Sequence, residues 1–339
     1  MRKLFSVIDV LNPLSAPGRL RLVLALLVVV SHLSSLGVGR PAVFAFFVLS
    51  GYWVMKMYAE KYIKYGDVSV FYLSRFLRIF GPYFFAYLAF LVLSAAFLTE
   101  PELSKVYGLA VFGVASTGYD ILGVSWSLDI ELQFYLLVPL FFLLLAAFDG
   151  SRAKGIALLT ACLLLAPFGW YLQLEHGIWT VCSYLPSFAI GAAIWAYDWR
   201  PSKRMAYLSL ALFVAVGAAS MIWEETRPLL IKSGEHSAEV DWFGIAWTAL
   251  LAPFFAYNVA QPSSKNDQHA GNLSYALYIT HWPVVAAFAY WFGPIDAVEK
   301  GATFATIVAV TAVFYVLIDR PCENFRKFAV ARRLRTRTA

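Results

Sequence analysis

The chain has 339 residues, of which 60% are hydrophobic, 17% aromatic and only 14% charged, and its mean hydropathy is +0.67. A typical soluble domain carries about 25% charged residues, so this composition excludes an ordinary soluble protein. The formal net charge of +6 is explained by basic loops that face anionic lipid headgroups, and no nucleic-acid partner is expected.

Apolar runs that are long enough to cross a membrane recur along the whole chain. A helix needs roughly 17 to 25 residues to cross about 30 Å of hydrocarbon. The sequence therefore predicts an all-α fold, a polytopic transmembrane helical bundle of about ten spans that forms one domain over residues 1–339. The predicted spans cover residues 20–37, 41–58, 79–99, 124–148, 155–174, 178–198, 205–223, 241–260, 272–292 and 302–319. No extracytoplasmic domain is expected, because the longest predicted outer loop covers only residues 224–241.

The basic residues of the loops indicate the orientation, because Lys and Arg accumulate on the cytoplasmic side of a membrane protein. With the N-terminus inside, 22 of the 27 basic residues fall on that side. The sequence therefore predicts an even number of spans, two cytoplasmic termini and a basic cytoplasmic tail over residues 320–339. The exceptions, on the outer side, are Arg40, Lys105, Arg227, Lys232 and Lys300, and acidic residues such as Glu100, Glu102 and Asp241 gather there.

His32 lies near the middle of the first apolar stretch, eleven positions after Arg21. An ionisable side chain inside a span is costly, and its presence indicates a functional site. At about 1.5 Å per residue, Glu131 in the fourth span and His281 in the ninth lie at a similar depth to His32. The sequence therefore predicts three titratable side chains at one level of the bundle.

This set suits general base catalysis at a hydroxyl, because an imidazole can accept the proton while a carboxylate orients the ring. The structural alternative is that His32 and Glu131 only hold helices together. His281 has its own alternative, a hydrogen bond to a carbonyl freed by Pro283. Asp129 falls on another helical face, where it either lines an acceptor entrance or is simply solvated.

Arginines form a second set on the cytoplasmic side. Arg75 and Arg78 are three residues apart and share a helix face, and Arg21 lies at the base of the first span. Forked guanidinium donors suit phosphate, although ordinary positive-inside anchoring also explains basic residues in such loops. Between the two levels, Ser50 and Gly51 permit close approach by another helix or by a slender ligand.

Aromatic residues near the span ends are expected to be headgroup anchors, as for Trp126 and Trp170. Tyr135 and Tyr275 are compatible with stacking against a glycan or with packing. The three cysteines, Cys162, Cys182 and Cys322, provide neither a disulfide framework nor a CxxC metal site. No metal cofactor is expected.

Six motifs, in this order along the chain, resemble those of the acyltransferase 3 family of integral membrane acyltransferases. Their order and spacing make the resemblance specific, and it covers nearly the whole chain. The motifs are R-x10-H (Arg21, His32), FFxxSG (Phe46 to Gly51), RxxR (Arg75, Arg78), W-S-L-x-x-E-x-Q-F-Y (Trp126 to Tyr135), S-Y-x-L-Y-x-x-H-W-P (Ser274 to Pro283) and the closing Asp319-Arg320-Pro321.

The resemblance implies a multi-pass O-acyltransferase of a bacterial cytoplasmic membrane. It implies transfer of an acyl group, usually acetyl, from cytoplasmic acyl-coenzyme A to a hydroxyl of a carbohydrate or lipid-linked glycan on the outer side. His32 would be the catalytic base or transient acyl carrier and Glu131 its partner. The donor site would be formed by Arg21, Arg75, Arg78 and Ser50, and the acceptor side or the packing around it by Trp126, Asp129, Tyr135, Tyr275 and His281.

The chain departs from the family pattern after Trp126. Many relatives read S-V-E-E-Q-F-Y where this chain reads D-I-E-L-Q-F-Y, so Leu132 replaces a second acid and argues against a two-carboxylate scheme. Some relatives add an extracytoplasmic esterase-like domain. Nothing of that size follows here, which predicts direct transfer to the acceptor or to a separate protein.

Two other function classes stay open at this point. A secondary transporter or flippase would move a polar substrate through the same charged interior, without needing coenzyme A. A binding or sensing protein without turnover would tolerate loss of His32. The sequence leaves the acceptor, the acyl chain and the oligomeric state undetermined.

Overall fold

The computed structural model describes residues 16–65, 67–97, 103–147, 152–231, 237–293 and 297–335. In this part of the chain the regular structure is helical, apart from one isolated antiparallel bridge between Leu36 and Ile231. The helices are α1 (Pro17–Leu33), α2 (Gly39–Met57), α3 (Val68–Phe97), α4 (Val114–Thr117), α5 (Ser125–Ala147), α6 (Arg152–His176), α7 (Leu185–Ala196), α8 (Lys203–Ile222), α9 (Ala238–Ala249), α10 (Ala252–Val259), α11 (Lys265–Phe292), α12 (Ala297–Phe314) and α13 (Arg320–Arg335).

Shorter helical segments connect or prolong these helices. A π-helical turn, Tyr58–Tyr62, continues α2, and a second one, Tyr315–Asp319, joins α12 to α13. Segments of 3-10 helix lie at Ile63–Tyr65, Leu103–Ala110, Val181–Tyr184 and Arg227–Leu229. Residues 320–335, predicted as a tail, are therefore helical and continue from the last predicted span.

The all-helical fold class is confirmed, and each of the ten predicted spans overlaps at least one helix, although the eighth, residues 241–260, falls on two helices, α9 and α10. Six helices of the described residues are long and apolar enough to cross a membrane, and seven if α9 and α10, bent by 53°, form one broken span. α1 and α7 are shorter, and α11 begins with polar residues. The count of ten spans and the cytoplasmic termini remain predictions. Residues 1–15 and 336–339 lie outside the described residues, as do Glu100, Glu102 and Lys232.

The first span differs from its prediction. α1 begins at Pro17 and ends at Leu33, so it is displaced towards the N-terminus relative to residues 20–37. The Asp267 carboxylate causes the early start, because it accepts hydrogen bonds from the backbone N–H groups of Gly18 (3.1 Å) and Arg19 (2.9 Å). His32 therefore lies in the last turn of α1 and not near the middle of a helix.

The chain divides into two compact units. The first unit contains residues 1–52 and 186–275, and its described helices are α1, most of α2 and α7, α8, α9, α10 and the start of α11. Its core includes a stacked pair of rings, Phe213 and Trp247, with centroids 4.2 Å apart. The Asp241 carboxylate is fully buried and pairs with Arg40. This acidic partner provides a local reason for a basic residue on the predicted outer side.

The second unit contains residues 53–185 and 276–339. Its described helices include α3, α5, α6, α12 and α13. Tyr83 and Tyr87, both fully buried on α3, donate hydrogen bonds to backbone carbonyls of the following 3-10 segment, to Gly108 (2.6 Å) and Lys105 (2.7 Å). These bonds satisfy polar groups of an irregular segment and attach it to α3.

Candidate functional site

α1, in the first unit, presents the two residues of the R-x10-H motif. The helix is continuous from Pro17 to Leu33, so the eleven residues from Arg21 to His32 make about three turns and about 16.5 Å along the axis. At 3.6 residues per turn, the two side chains project from almost the same face of α1. Both are half-buried.

The segment after His32 is anchored within the first unit. The Ser31 hydroxyl donates to the Leu36 carbonyl (2.7 Å), and the backbone N–H of Gly37 donates to the Leu230 carbonyl (2.6 Å). These contacts end α1 directly after His32. The C-terminal end of the helix, where the dipole is negative, then lies at the imidazole.

The FFxxSG motif on α2 forms a close contact with α7. A Cβ at Gly51 would lie 2.2 Å from the carbonyl oxygen of Phe188, and a Cβ at Gly191 would lie 1.9 Å from that of Val48. The Phe47 and Phe188 rings stack with centroids 4.6 Å apart. Of the two predicted uses of Gly51, packing against a helix is the one observed. Ser50 is buried beside this contact, with 7% of its surface exposed.

Glu131 lies in the second turn of α5, in the second unit, and is half-buried. The hydroxyl of Tyr135, four residues later, donates a 2.6 Å hydrogen bond to Glu131 Oε1. The Arg75 guanidinium of α3 lies over the Tyr135 ring, 5.9 Å from its centroid. A predicted catalytic carboxylate and a predicted donor-site arginine thus contact the same tyrosine.

Asp129 faces the opposite side of α5 and is fully buried. Its carboxylate accepts hydrogen bonds from the Ala115 backbone N–H (3.1 Å) and from the Gln133 amide (3.2 Å). Gln133 Oε1 in turn accepts from the Val181 N–H (2.8 Å). The alternative of a solvated Asp129 is therefore wrong, because this carboxylate attaches the segments around residues 115 and 181 to α5.

The two arginines of RxxR have different neighbours. Arg78 Nη1 lies 3.5 Å from Glu323 and 3.9 Å from Asp319, which is 1% exposed. No carboxylate among the described residues pairs with Arg75, and its buried Nε has no hydrogen-bond partner there. A shared helix face therefore does not give the two guanidinium groups one common surrounding.

The Arg78 surroundings form a network between α3 and α13. Arg326 makes two hydrogen bonds to Glu323, 2.8 and 2.6 Å long. A third runs from Arg326 Nη1 to Ser74 Oγ (2.8 Å), to which the Tyr62 hydroxyl also donates (2.8 Å). The π-helical turns that contain Tyr62 and Asp319 flank this network, and such turns are frequent at functional sites.

Trp126, at the start of α5, belongs to an aromatic cluster. Its ring lies 5.5 Å from that of Trp179 and 5.6 Å from that of Tyr184. Tyr184 also contacts Trp170, which is 3% exposed. The prediction that Trp170 is a headgroup anchor is therefore wrong, because its ring is enclosed by protein. Trp126 is half-buried.

The S-Y-x-L-Y-x-x-H-W-P motif is divided between the units after Tyr275, a half-buried residue. In the second unit, the Tyr278 and Ser127 hydroxyls are 2.7 Å apart. The fully buried His281 places Nδ1 2.8 Å from the Tyr278 carbonyl and 3.1 Å from that of Leu277. These contacts put the proton on Nδ1. His281 therefore bonds to carbonyls of its own helix, but these belong to Leu277 and Tyr278 and not to Ile279, whose carbonyl Pro283 leaves without its helical N–H donor.

Comparison with known proteins decides the family. Residues 17–318 match the acyltransferase 3 family, which is described as an acyltransferase domain. The chain belongs to the acyltransferase 3 family. It is accordingly a multi-pass membrane acyltransferase, and the transporter and sensor alternatives lose their support. No solved structure matches the chain.

Three curated relatives of this acyltransferase 3 protein are informative. Nodulation protein 10 of Rhizobium leguminosarum bv. viciae is 26% identical over 331 residues, which cover 87% of this chain and 85% of the relative. BcsY of Komagataeibacter xylinus, a provisionally named membrane-bound transacylase, is 26% identical over 58% of this chain and 50% of its own length. Peptidoglycan O-acetyltransferase OatA of Listeria monocytogenes is 23% identical over 80% and 48%. The chain spans about half the length of the last two.

Several contacts of this acyltransferase were not predicted from the sequence. Asp267 caps α1 through Gly18, which lies 249 residues earlier in the chain, and Glu323 and Arg326 surround Arg78. No local pattern gives such pairs. The contact of Tyr135 with Glu131 had a signal, since the two residues are four apart on one helix.

Within the described ranges, no group of three or more His, Cys, Asp and Glu side chains is placed to hold a metal ion.

Proposed function

We propose that this acyltransferase moves an acyl group, with acetyl the main candidate, from cytoplasmic acyl-coenzyme A to a hydroxyl of a carbohydrate or lipid-linked glycan. The acceptor lies at the outer side of a bacterial cytoplasmic membrane. Family membership supports acyl transfer, and the name of the Listeria relative, a peptidoglycan O-acetyltransferase, supports a glycan hydroxyl as acceptor.

The observation that carries the proposal is the geometry of α1. One continuous helix presents a cation, Arg21, and an imidazole, His32, on one face about 16.5 Å apart. A phosphate at Arg21 would leave an extended thioester arm to run along α1 towards His32. The coenzyme then stays on one side while its acyl group reaches the other end of the helix.

The donor site is proposed to contain Arg21, Ser50, Arg75 and Arg78. Arg75 is the strongest candidate for direct phosphate contact, because it is half-buried and the described residues offer it no carboxylate. A half-buried guanidinium without a carboxylate partner gains most from an incoming anion. Arg78 already neutralises Asp319 and Glu323, which favours a positioning role for it beside the donor.

In the proposed reaction, His32 removes the proton of the acceptor hydroxyl, and the hydroxyl oxygen attacks the thioester carbonyl carbon. The carbon–sulfur bond breaks, and the coenzyme leaves as a thiolate that takes the proton from the imidazolium. Glu131 is proposed to orient the imidazole and to stabilise its positive charge. A second route, in which His32 itself carries the acyl group before the acceptor attacks, uses the same residues.

The acceptor side is proposed to involve Trp126 and Tyr275, which are half-buried aromatic residues. An aromatic face can contact the apolar side of a sugar ring. Asp129 and His281 are fully buried and bonded to backbone groups. They are proposed to support the site without touching the acceptor.

Acyl transfer by purified protein tests the proposal. The substrates are labelled acetyl-coenzyme A and a glycan fraction of the host envelope, and the products are free thiol and labelled glycan. His32→Ala should lower kcat at least about 100-fold, because general base catalysis contributes 10² to 10⁴. His176→Ala is the matched control, since His176 is an exposed histidine that also ends a helix.

Two results would contradict the proposal. Full activity of His32→Ala at matched folded yield would exclude its catalytic role. Coenzyme-independent movement of glycan across vesicles, without thiol release, would show transport instead of transfer. Mass spectrometry of envelope glycans from cells with and without the intact gene would identify the acceptor.

A further inference from the structure

Tyr135 connects two residues that the proposed function assigns to different tasks. Its hydroxyl donates to Glu131 Oε1 at 2.6 Å, and its ring supports the Arg75 guanidinium at 5.9 Å. The tyrosine is 4% exposed, so packing holds it in place. All three residues belong to the second unit.

The hydrogen bond restricts the carboxylate of Glu131. An O–H donor to an ionised oxygen gives a short bond of about 2.5–2.7 Å, roughly twice as strong as a neutral one. Residues four apart on a helix are neighbours, so Tyr135 reaches Glu131 without any backbone movement. One rotamer of Glu131 is thereby selected before substrates bind.

The ring restricts Arg75 in a similar way. A guanidinium over an aromatic face is attracted by the ring electrons, and its planar group can stack while its donors stay available at the edge. Because the buried Nε has no partner among the described residues, the ring is the main contact that orients this cation. The position of Arg75 therefore depends on the same side chain as the position of Glu131.

We propose that Tyr135 is a positioning residue of the transfer reaction. Its hydroxyl holds Glu131 in the conformation that catalysis needs, and its ring holds Arg75 for the phosphate of the acyl donor. The inference rests on the proposed function. It assigns to the hydroxyl and to the ring two separate effects on kinetics.

Two substitutions separate these effects. Tyr135→Phe removes the hydroxyl and keeps the ring, so kcat should fall about 10- to 100-fold, as expected for loss of a hydrogen bond to a charged group, while KM for acetyl-coenzyme A stays unchanged. Tyr135→Leu also removes the ring, so KM should rise in addition by about threefold to tenfold. Arg75→Lys, which leaves Tyr135 intact, should raise KM with little change in kcat.

Tyr72→Phe is the matched control. The Tyr72 hydroxyl donates to the carbonyl of Leu136, next to Tyr135, at 3.3 Å, and among the described residues it makes no hydrogen bond to Glu131 or Arg75. Its removal should leave both kinetic constants unchanged. If Tyr135 had a purely structural role, both of its variants would contain a smaller fraction of active protein. The hydroxyl and the ring would then have no separate effects on kcat and on KM.

The outcomes distinguish this inference from the proposed function. If the wild-type protein neither releases thiol from acetyl-coenzyme A nor labels a glycan, the proposed function is wrong. If His32→Ala and Glu131→Gln both keep full activity, the catalytic roles proposed for these two residues are wrong. If these two are inactive while Tyr135→Phe keeps the wild-type kcat, the positioning role alone is overturned. Tyr135→Phe and Arg75→Lys preserve most of the packing volume, so they decide the question even if Tyr135→Leu does not fold.

Discussion

The carboxylates on the two faces of α5 differ in burial and in hydrogen-bond partners. Asp129 is fully buried and accepts hydrogen bonds from a backbone N–H and from Gln133, whereas Glu131 is half-buried and holds a tyrosine hydroxyl. The arginines of α3 repeat this contrast, because Arg78 is ion-paired and Arg75 has no carboxylate partner in the described ranges. Buried carboxylates and ion-paired arginines hold the protein together, whereas the half-buried Glu131 and Arg75 are the residues to which chemistry is assigned in the proposed function.

The largest expected effect tests the contrast between the two carboxylates of α5. Glu131→Gln should lower kcat at least about 100-fold with an unchanged melting temperature. Asp129→Asn should do the reverse: it should lower Tm by about 2–8 °C, as expected for 1–2 kcal/mol lost in a unit of this size, and leave kcat per folded molecule within about threefold. Steady-state kinetics and melting in detergent measure both, with the exposed Glu175→Gln as control. An Asp129→Asn variant that is inactive but fully stable would contradict the assignment of a structural role to Asp129 and a catalytic role to Glu131.

The second prediction concerns the arginines. Arg75→Ala should raise KM for acetyl-coenzyme A about 10- to 100-fold at unchanged stability, because a hydrogen bond to a charged phosphate is lost. Arg78→Ala should instead cost about 1–3 kcal/mol of stability, because Asp319 is left buried without a cation.

A double variant sharpens this result. Adding Asp319→Asn to Arg78→Ala should restore part of the lost stability, since the second change removes the unpaired charge. The exposed Arg204→Ala is the control for general loss of positive charge. Equal KM changes in the two single variants would show that both arginines bind the donor directly.

A smaller effect is expected at Asp267, a satisfied carboxylate of the first unit. It caps the N-terminus of α1 and also accepts from the Ser263 hydroxyl (2.6 Å). Asp267→Ala should cost about 0.5–2 kcal/mol, the usual value of a helix cap, and should speed hydrogen exchange of the α1 N-terminus. Ser202→Ala removes the cap of α8 instead and should leave exchange in α1 unchanged. Identical exchange in both variants would exclude the cap as the reason for the early start of α1.

The smallest effect concerns pH and Asp120, in the turn before α5. Burial raises the pKa of this carboxyl, although the backbone N–H of Trp126 donates to it (3.2 Å). A raised pKa in the folded state means that Asp120 stabilises the fold below its ordinary pKa and that this contribution is lost as pH rises through the folded-state pKa. Asp120→Asn should therefore gain stability relative to the wild type as pH increases. A difference in Tm that stays flat or falls with pH would contradict this.

Much of the fold was predictable from the sequence, because lipid imposes a direct relation between composition and structure. A chain in hydrocarbon satisfies the hydrogen bonds of its backbone groups within helices. The long apolar runs of the sequence therefore predicted where helices lie, and each of the ten predicted spans overlaps at least one helix. The ends were less predictable. α1 begins early because Asp267, 249 residues away, supplies its cap, and a local pattern contains no such information.

The candidate site was likewise predictable from the sequence only in part. The order and spacing of motifs predicted His32, Glu131 and the arginines as a set, because residue type and helical spacing can be read directly from the sequence. The sequence alone also determined the helical membrane class and the acyltransferase family. Only the tertiary structure decided that Asp129 is buried and hydrogen-bonded, that Arg78 already pairs with carboxylates and that Tyr135 contacts both Glu131 and Arg75. These roles depend on which side chains meet across helices, and that is set by packing and by the need of each buried charge for a partner.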